Sequence, residues 1–255
     1  MCFFNIAFNN WKKAYTLAPA ADGQRPSHYV DGRALYKAKI KRTDDEAQKK
    51  EYAQMVMQLY DEQMTCYKNE GYLLGRKGYD MLTAPGYGYT EETLNTFQSG
   101  LDKAGNNTEY FILEPIAQLL TYMYQAKMID RETIITIYEK MVDIANYNID
   151  NNERYGAYYE SAKARMDAQL KPIEDEVFDC AYFKNKLLPQ VEENPEDLDV
   201  LKYVYNKLRQ QGCDTLDVDM DKLKTQYDTV AAVVTESLEG ERRANNPGYD
   251  ASQLQ

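Results

Sequence analysis

Apolar residues recur every three to four positions along most of the chain, which is the spacing of helices with one buried face. Between Asp44 and Asn69 such a stripe predicts one long helix, which Gly71 ends. β-branched residues alternate with polar ones only briefly, at 216–220. We therefore predict an all-α protein. The same spacing predicts further helices over 29–42, 72–82, 91–103, 110–126, 130–148, 153–170, 181–192, 196–211 and 219–234.

Two segments interrupt the helical pattern. One is the turn-like sequence TAPGYGY at 83–89, and the other is KPIEDEVF at 171–178, where Pro172 is followed by acidic residues. The C-terminal residues are charged and include ANNPG. We predict a single helical domain over 1–235, with a candidate break near 171–178, and a flexible tail over 236–255.

Charge and histidine content exclude several kinds of function. The chain has 30 Lys and Arg against 41 Asp and Glu, a formal net charge of −11, and no basic block, so nucleic-acid binding is not expected. His28 is its one histidine, which excludes a histidine cage for a metal. The chain lacks the ~20 consecutive apolar residues of a membrane helix, so no membrane span is expected.

The four cysteines are scattered at Cys2, Cys66, Cys180 and Cys213, without a C-x-x-C pair. This spacing indicates neither a zinc site nor a dithiol redox motif. Because unpaired cysteine is among the most buried residue types, the pattern favours free buried thiols. The spacing leaves open whether any two cysteines form a disulfide.

Catalytic motifs are not found in the sequence. It has no G-x-S-x-G and no phosphate-binding G-x-x-x-x-G-K-[ST]. The acidic run from Asp217 to Asp228 is spaced like a calcium loop, but Lys222 replaces its glycine and Asp228 its final Glu. That run instead predicts an acidic helix start. We expect a protein that is not an enzyme and has no catalytic residues, metal or cofactor.

Small and apolar residues recur at the spacing of paired helices. The matching positions are Ala7, Trp11, Ala14 and Pro19; Ala53, Met57 and Tyr60 before Leu74; Ala117, Leu120 and Tyr124 before Ile134, Tyr138 and Met141; and Pro195 before Leu201, Val204, Leu208 and Gly212. This pattern resembles the tetratricopeptide repeat, and the chain is similar to exported bacterial tetratricopeptide-like proteins of undefined activity. NNWKKAYTLAPA and GYLLGRKGYDML are among the stretches that carry the resemblance.

The resemblance implies antiparallel helix pairs that form a right-handed superhelix with a concave binding face. It also implies an exported or periplasmic protein, although the first twenty residues, with several Asn and Lys, do not read as a signal segment. Residues 7–19 match a second helix without its first. One apolar face near the N-terminus is therefore expected to lack a partner.

Four polar residues are the candidate binding site. Opposite the apolar stripe of the helix after Pro195, on the side that lines the groove in the resembled family, lie Asp199, Lys202, Asn206 and Arg209. Lys202 and Asn206 are one turn apart and could hold a peptide carboxylate. The alternative is an ordinary solvated helix face.

Tyrosine is unusually abundant, with 23 Tyr against 7 Phe and one Trp. Exposed Tyr rings would provide rigid contact area for a peptide or a sugar, whereas Tyr at helix-packing positions belongs to the core. Two groups stand out in the sequence. They are Tyr36, Tyr60, Tyr67, Tyr72 and Tyr79, and then Tyr155, Tyr158 and Tyr159.

Together these patterns predict a non-catalytic scaffold that binds a peptide or protein partner on a concave face. One alternative is an exported carbohydrate- or nutrient-binding helical-repeat protein, with a glycan as its partner. A third is an α-helical toroid hydrolase, which would need two carboxylates about 5–10 Å apart in a deep pocket. An acidic chain also predicts basic or neutral ligands.

Overall fold

A computed structural model describes residues 2–20, 23 and 25–245 of the chain. The described residues form helices, turns and short 3-10 segments but no strand, so the all-α prediction is confirmed. The helices predicted from the sequence are present, most of them within a few residues of their expected bounds, but the helix predicted over 219–234 extends to Asn245. The helices are α1 (Cys2–Leu17), α2 (Ser27–Ile40), α3 (Glu46–Cys66), α4 (Glu70–Met81), α5 (Glu91–Ala104), α6 (Leu113–Gln125), α7 (Arg131–Asn151), α8 (Gly156–Leu170), α9 (Glu174–Val177), α10 (Cys180–Glu193), α11 (Leu198–Gln210) and α12 (Val218–Asn245).

Aspartates begin several of these helices by accepting hydrogen bonds from backbone N–H groups that have no partner within the helix. Asp45 caps α3, and Asp130 caps α7 by accepting from the N–H of Thr133 at 2.8 Å. Asp217 accepts from the N–H of Asp219 at 3.0 Å and also pairs with Lys184. The acidic run therefore acts as a helix start, as its sequence predicts.

The chain divides into two compact units between Ile173 and Glu174. Unit 1 contains α1 to α8 and unit 2 contains α9 to α12. The boundary falls inside the 171–178 segment, where the helical pattern is interrupted. Helix α12 continues to Asn245, so the first ten residues of the predicted tail are helical, and residues 246–255 lie outside the described part of the chain.

In unit 1, most helices pack against their neighbours in sequence. The most extensive contacts are between α4 and α5, between α2 and α3, and between α6 and α8. The repeat spacing pairs α6 with α7, yet α8 lies against both and packs on α6 more extensively than α7 does. The tetratricopeptide superhelix remains a prediction.

Helix α1 has a buried face and an exposed apolar face. Phe8 and Trp11 are buried, and the Trp11 indole donates a hydrogen bond to the carbonyl of His28 at 2.7 Å. Ala7, a packing position in the repeat spacing, is instead exposed. Phe3 and Leu17 are also exposed. Within the described residues, the expected unpartnered apolar face is therefore present.

A stripe of glycines brings α4 and α5 together. Gly71, Gly75 and Gly78 are buried along one side of α4. A methyl group added at Gly100 of α5 would lie 2.9 Å from the backbone nitrogen of Gly75, closer than real contacts allow. The two backbones thus approach so closely that a side chain at Gly100 would meet the backbone of α4.

We expect the protein to lose stability steeply above about pH 10. Burial raises the pKa of Tyr60, Tyr36 and Tyr159. These phenols are protonated in the folded state at a pH where the unfolded chain has already lost its protons. Each such group then lowers the free energy of unfolding by up to about 1.4 kcal/mol per pH unit.

Ultraviolet titration of phenolate alongside circular dichroism measures this effect. The buried tyrosines should ionise only together with helix loss. Tyr60→Phe should reduce the alkaline slope. If all tyrosines ionise in one step while the helices persist, the prediction is wrong.

Unit 2 has a small core, and a disulfide crosses it. The core contains Leu187 and Val191 of α10 together with Leu201, Val204 and Leu208 of α11. Cys180 and Cys213 form the disulfide, with their Cα atoms 5.2 Å apart. The expectation of free thiols is wrong for these two residues. A short turn makes α10 and α11 antiparallel, so the start of α10 lies beside the end of α11.

The remaining described thiol is also not buried. Cys66 is free and exposed at the end of α3, and its sulfur lies 3.3 Å from the hydroxyl of Tyr29. Burial of the thiol is therefore the wrong expectation for Cys66 as well.

Candidate binding surface

The four site residues predicted from the sequence lie on the solvent-facing side of α11. Asp199, Lys202, Asn206 and Arg209 are all exposed. The opposite side of α11 is formed by Leu201, Val204 and Leu208, which are fully buried. The predicted division of this helix into a packing face and a polar face is therefore present.

The polar face of α11 has few contacts of its own. The Arg209 guanidinium lies 5.8 Å from the centre of the Tyr205 ring. Among the described residues, Lys202 forms no ion pair. The peptide-carboxylate role of Lys202 and Asn206 stays a prediction.

A second surface is formed by the tyrosines of α4. Each glycine of the α4 stripe is followed directly by one residue of this surface. These residues are Tyr72, Arg76 and Tyr79. Because the glycines face α5, this neighbouring stripe points toward solvent. Tyr72 is 43% exposed and Tyr79 is 46% exposed.

The tyrosines at the start of α8 form the other end of this surface. Tyr158 is 54% exposed, whereas Tyr159 is 5% exposed and donates its hydroxyl hydrogen to the carbonyl of Thr108 at 2.5 Å. Adjacent helix residues point in different directions, so only one of the pair is available for contact. Tyr155, one turn earlier, is 37% exposed.

Tyr110 and Phe111 join the two ends. The Phe111 ring lies edge-on to Tyr79 with centroids 5.3 Å apart, and Tyr110 stacks on Tyr158 at 5.2 Å. Tyr110 also contacts Tyr155 at 6.3 Å. We call this continuous surface the aromatic strip. It consists of Tyr72, Arg76, Tyr79, Tyr110, Phe111, Tyr155 and Tyr158.

A bidentate ion pair fixes the arginine of the aromatic strip. Arg76 donates to both carboxylate oxygens of Glu109, at 2.9 and 2.8 Å. Its guanidinium lies 4.8 Å from the centre of the Tyr72 ring and 5.1 Å from that of Phe111. Glu109 adjoins Tyr110 in sequence, so this pair ties α4 to the segment that bridges the tyrosines.

Of the first tyrosine group predicted from the sequence, Tyr72 and Tyr79 lie in the aromatic strip, whereas Tyr36 and Tyr60 are buried in the core. The sequence pattern did not indicate the bridge from α4 to α8. Tyr110 and Phe111 begin a predicted helix, where nothing in their spacing marks them as a link between α4 and α8. The contact between Tyr110 and Tyr158 spans 48 residues of chain. The sequence signal at this point is two aromatic residues that follow an acid, Glu109.

One cleft in unit 1 has several carboxylates. It lies between α5 and α7, encloses about 480 Å³, and is lined by Asp102, Glu139, Lys140 and Asp143 among others. Asp102 pairs with Lys140, and Asp102 and Asp143 are exposed. A glycosidase acid needs a dry surrounding that raises its pKa, and neither of these two exposed carboxylates has one.

Comparisons with known proteins leave the chain without an assigned family. No family model matches it, and neither a curated protein nor a solved structure does. Across the described residues, every helix is too short or too polar to span a lipid bilayer. Any functional assignment therefore rests on the surfaces described above.

Proposed function

We propose that this protein is a non-catalytic helical scaffold that binds a peptide or protein partner, and that the aromatic strip is its contact surface. The continuity of exposed Tyr and Arg side chains from α4 to α8 carries the proposal. Tyr and Arg are enriched among the residues that dominate binding energy at protein interfaces. The tyrosine rings of the strip lose little conformational entropy on binding because neighbouring aromatic rings already hold them.

From the resemblance to exported bacterial tetratricopeptide-like proteins, we also propose that this protein is exported. The Cys180–Cys213 disulfide supports an extracytoplasmic location, since disulfides persist in oxidising compartments. The polar face of α11 is retained as a second proposed contact surface. It lies in unit 2, whereas the aromatic strip lies in unit 1.

Removing two rings from the aromatic strip should weaken partner binding at least tenfold. The variant is Tyr155→Ala/Tyr158→Ala, because both rings are exposed and neither donates a hydrogen bond that holds the fold. The probes are peptides selected from a random display library on the full chain and then synthesised. Fluorescence anisotropy measures their affinity for each variant.

The matched control removes exposed tyrosines elsewhere. Tyr147 is 49% exposed and Tyr122 is 51% exposed, and neither belongs to the aromatic strip or to the polar face of α11. Tyr147→Ala/Tyr122→Ala should bind within twofold of the unchanged protein.

Two results would redirect the proposal. If Lys202→Ala/Arg209→Ala abolishes binding and the strip variant does not, the α11 face is the contact surface. If a glycan array gives binding that the strip variant loses, while no peptide is selected, the carbohydrate-binding alternative replaces the proposal.

A further inference from the structure

A small cavity in unit 1 lies apart from the aromatic strip. It encloses about 240 Å³ between α2, α3 and the turn that follows α4. Its apolar lining comes from Ala53, Val56 and Met57 of α3, with Ile40 of α2 and Pro85 of the turn. The remaining lining residues are Lys37, Lys41, Asp80, Thr83 and Ala84.

Positive charge exceeds negative charge around this cavity. Lys37 pairs with Asp80, whose Oδ2 also accepts a hydrogen bond from the Tyr60 hydroxyl at 2.8 Å. Asp80 is thus already engaged by two donors. Lys41 is exposed and forms no ion pair with any described residue.

A buried arginine lies one helical turn before Lys37 on α2, outside the cavity lining. Arg33 is 7% exposed and lies 4.0 Å above the Tyr60 ring. It donates to the side-chain oxygen of Gln63 at 2.7 Å, and no described carboxylate forms an ion pair with it. Burial lowers the pKa of Arg33. Although the whole chain has a net charge of −11, the cavity lining has two lysines against one aspartate.

We propose that this cavity binds a small aliphatic carboxylate, with the aliphatic chain against Ala53, Val56 and Met57 and the carboxylate at Lys41. The apolar lining excludes a ligand that is polar throughout, because its groups would lose their hydrogen bonds to water. The cation excess favours an anionic head over a neutral or positive one. The ligand is small, since pockets for drug-sized molecules enclose about 300–1,000 Å³.

Binding of hexanoate to the full chain tests this inference. The probes are sodium hexanoate, 1-hexanol and hexylamine, and the signals are the labelled methyl groups of Met57 and Ile40 in an NMR titration. Hexanoate should shift both signals and bind at least tenfold more tightly than hexanol. Hexylamine should bind no better than hexanol.

Variants at the rim and in the wall complete the test. Lys41→Met keeps the aliphatic part of the side chain and removes its charge, and it should weaken hexanoate binding about fivefold. Lys39→Met removes a charge from the same helix outside the cavity and should change binding less than twofold. Ala84→Leu should fill the cavity and abolish the shift at Met57, with circular dichroism checking its fold.

Three outcomes would overturn the inference. They are an absence of shifts with hexanoate, equal binding of hexanoate and hexanol, and equal losses in Lys41→Met and Lys39→Met. Tighter binding of the peptide Ala-Ala-Leu than of hexanoate would assign the cavity to a peptide end instead of a free acid. Loss of peptide binding at the aromatic strip leaves this result unaffected, because the two sites share no residue.

Discussion

Replacing both Cys180 and Cys213 with serine is expected to lower the stability of unit 2 by about 3–4 kcal/mol. The disulfide closes a loop with a sequence separation of 33 residues, and loops of this length restrict the unfolded chain by about that amount. Its effect is large relative to the core, which depends on a few aliphatic residues of three helices. Reduction of the unchanged protein by dithiothreitol should have the same effect.

The single tryptophan allows the loss of stability to be assigned to one unit. Trp11 lies in unit 1, so its fluorescence transition in urea should stay where it is. The part of the circular dichroism transition that comes from α10 to α12 should move to lower urea. Hydrogen exchange of α11 amides should accelerate by the same free energy. A shift of the Trp11 transition equal to that of α11 would show instead that the two units unfold together.

The second large effect is expected at the crossing of α4 and α5. Gly100→Val should destabilise unit 1 by about 3 kcal/mol, because the new side chain meets the backbone of Gly75 and backbone atoms cannot move aside. Helix propensity alone would predict the opposite sign, since glycine is a poor helix former. Chemical denaturation followed by Trp11 fluorescence measures the loss.

Gly240 of α12 is the matched control, because a methyl group there meets nothing within 4 Å. Gly240→Val should be neutral or stabilising by up to about 1 kcal/mol, measured by circular dichroism because Gly240 lies in unit 2 and Trp11 in unit 1. If Gly100→Val is also neutral, α4 and α5 do not approach as closely as described.

Helix positions could be predicted from the sequence because the apolar stripe of a helix is a local feature, and several helices also have a local side-chain cap. Asp130 and the apolar residues after it define α7 without any knowledge of its neighbours. The partners of a helix are not local information. The repeat spacing pairs α6 with α7, whereas α8 takes most of the contact with α6, because many faces with spacings of three and four can pack on one another.

The candidate site shows the same limit. Tyr72, Tyr79, Tyr155 and Tyr158 could be singled out from their clustering in the sequence. Whether each tyrosine faces solvent depends on the side of the helix on which it lies. Tyr158 and Tyr159 are adjacent in sequence, yet Tyr158 is exposed and Tyr159 is buried. The disulfide was missed because cysteine spacing carries no distance, although the turn between α10 and α11 brings Cys180 to Cys213.

Helix α4 separates what must be kept from what can be varied. Positions 71, 75 and 78 hold the crossing with α5, and positions 72, 76 and 79 face outward one residue later. A designer could therefore randomise positions 72 and 79 and select new binding specificities, while keeping Arg76 because its ion pair with Glu109 holds α4 in place. Natural variation is open to the same route, which makes α4 the place where this fold can acquire a new ligand at the lowest risk to its stability.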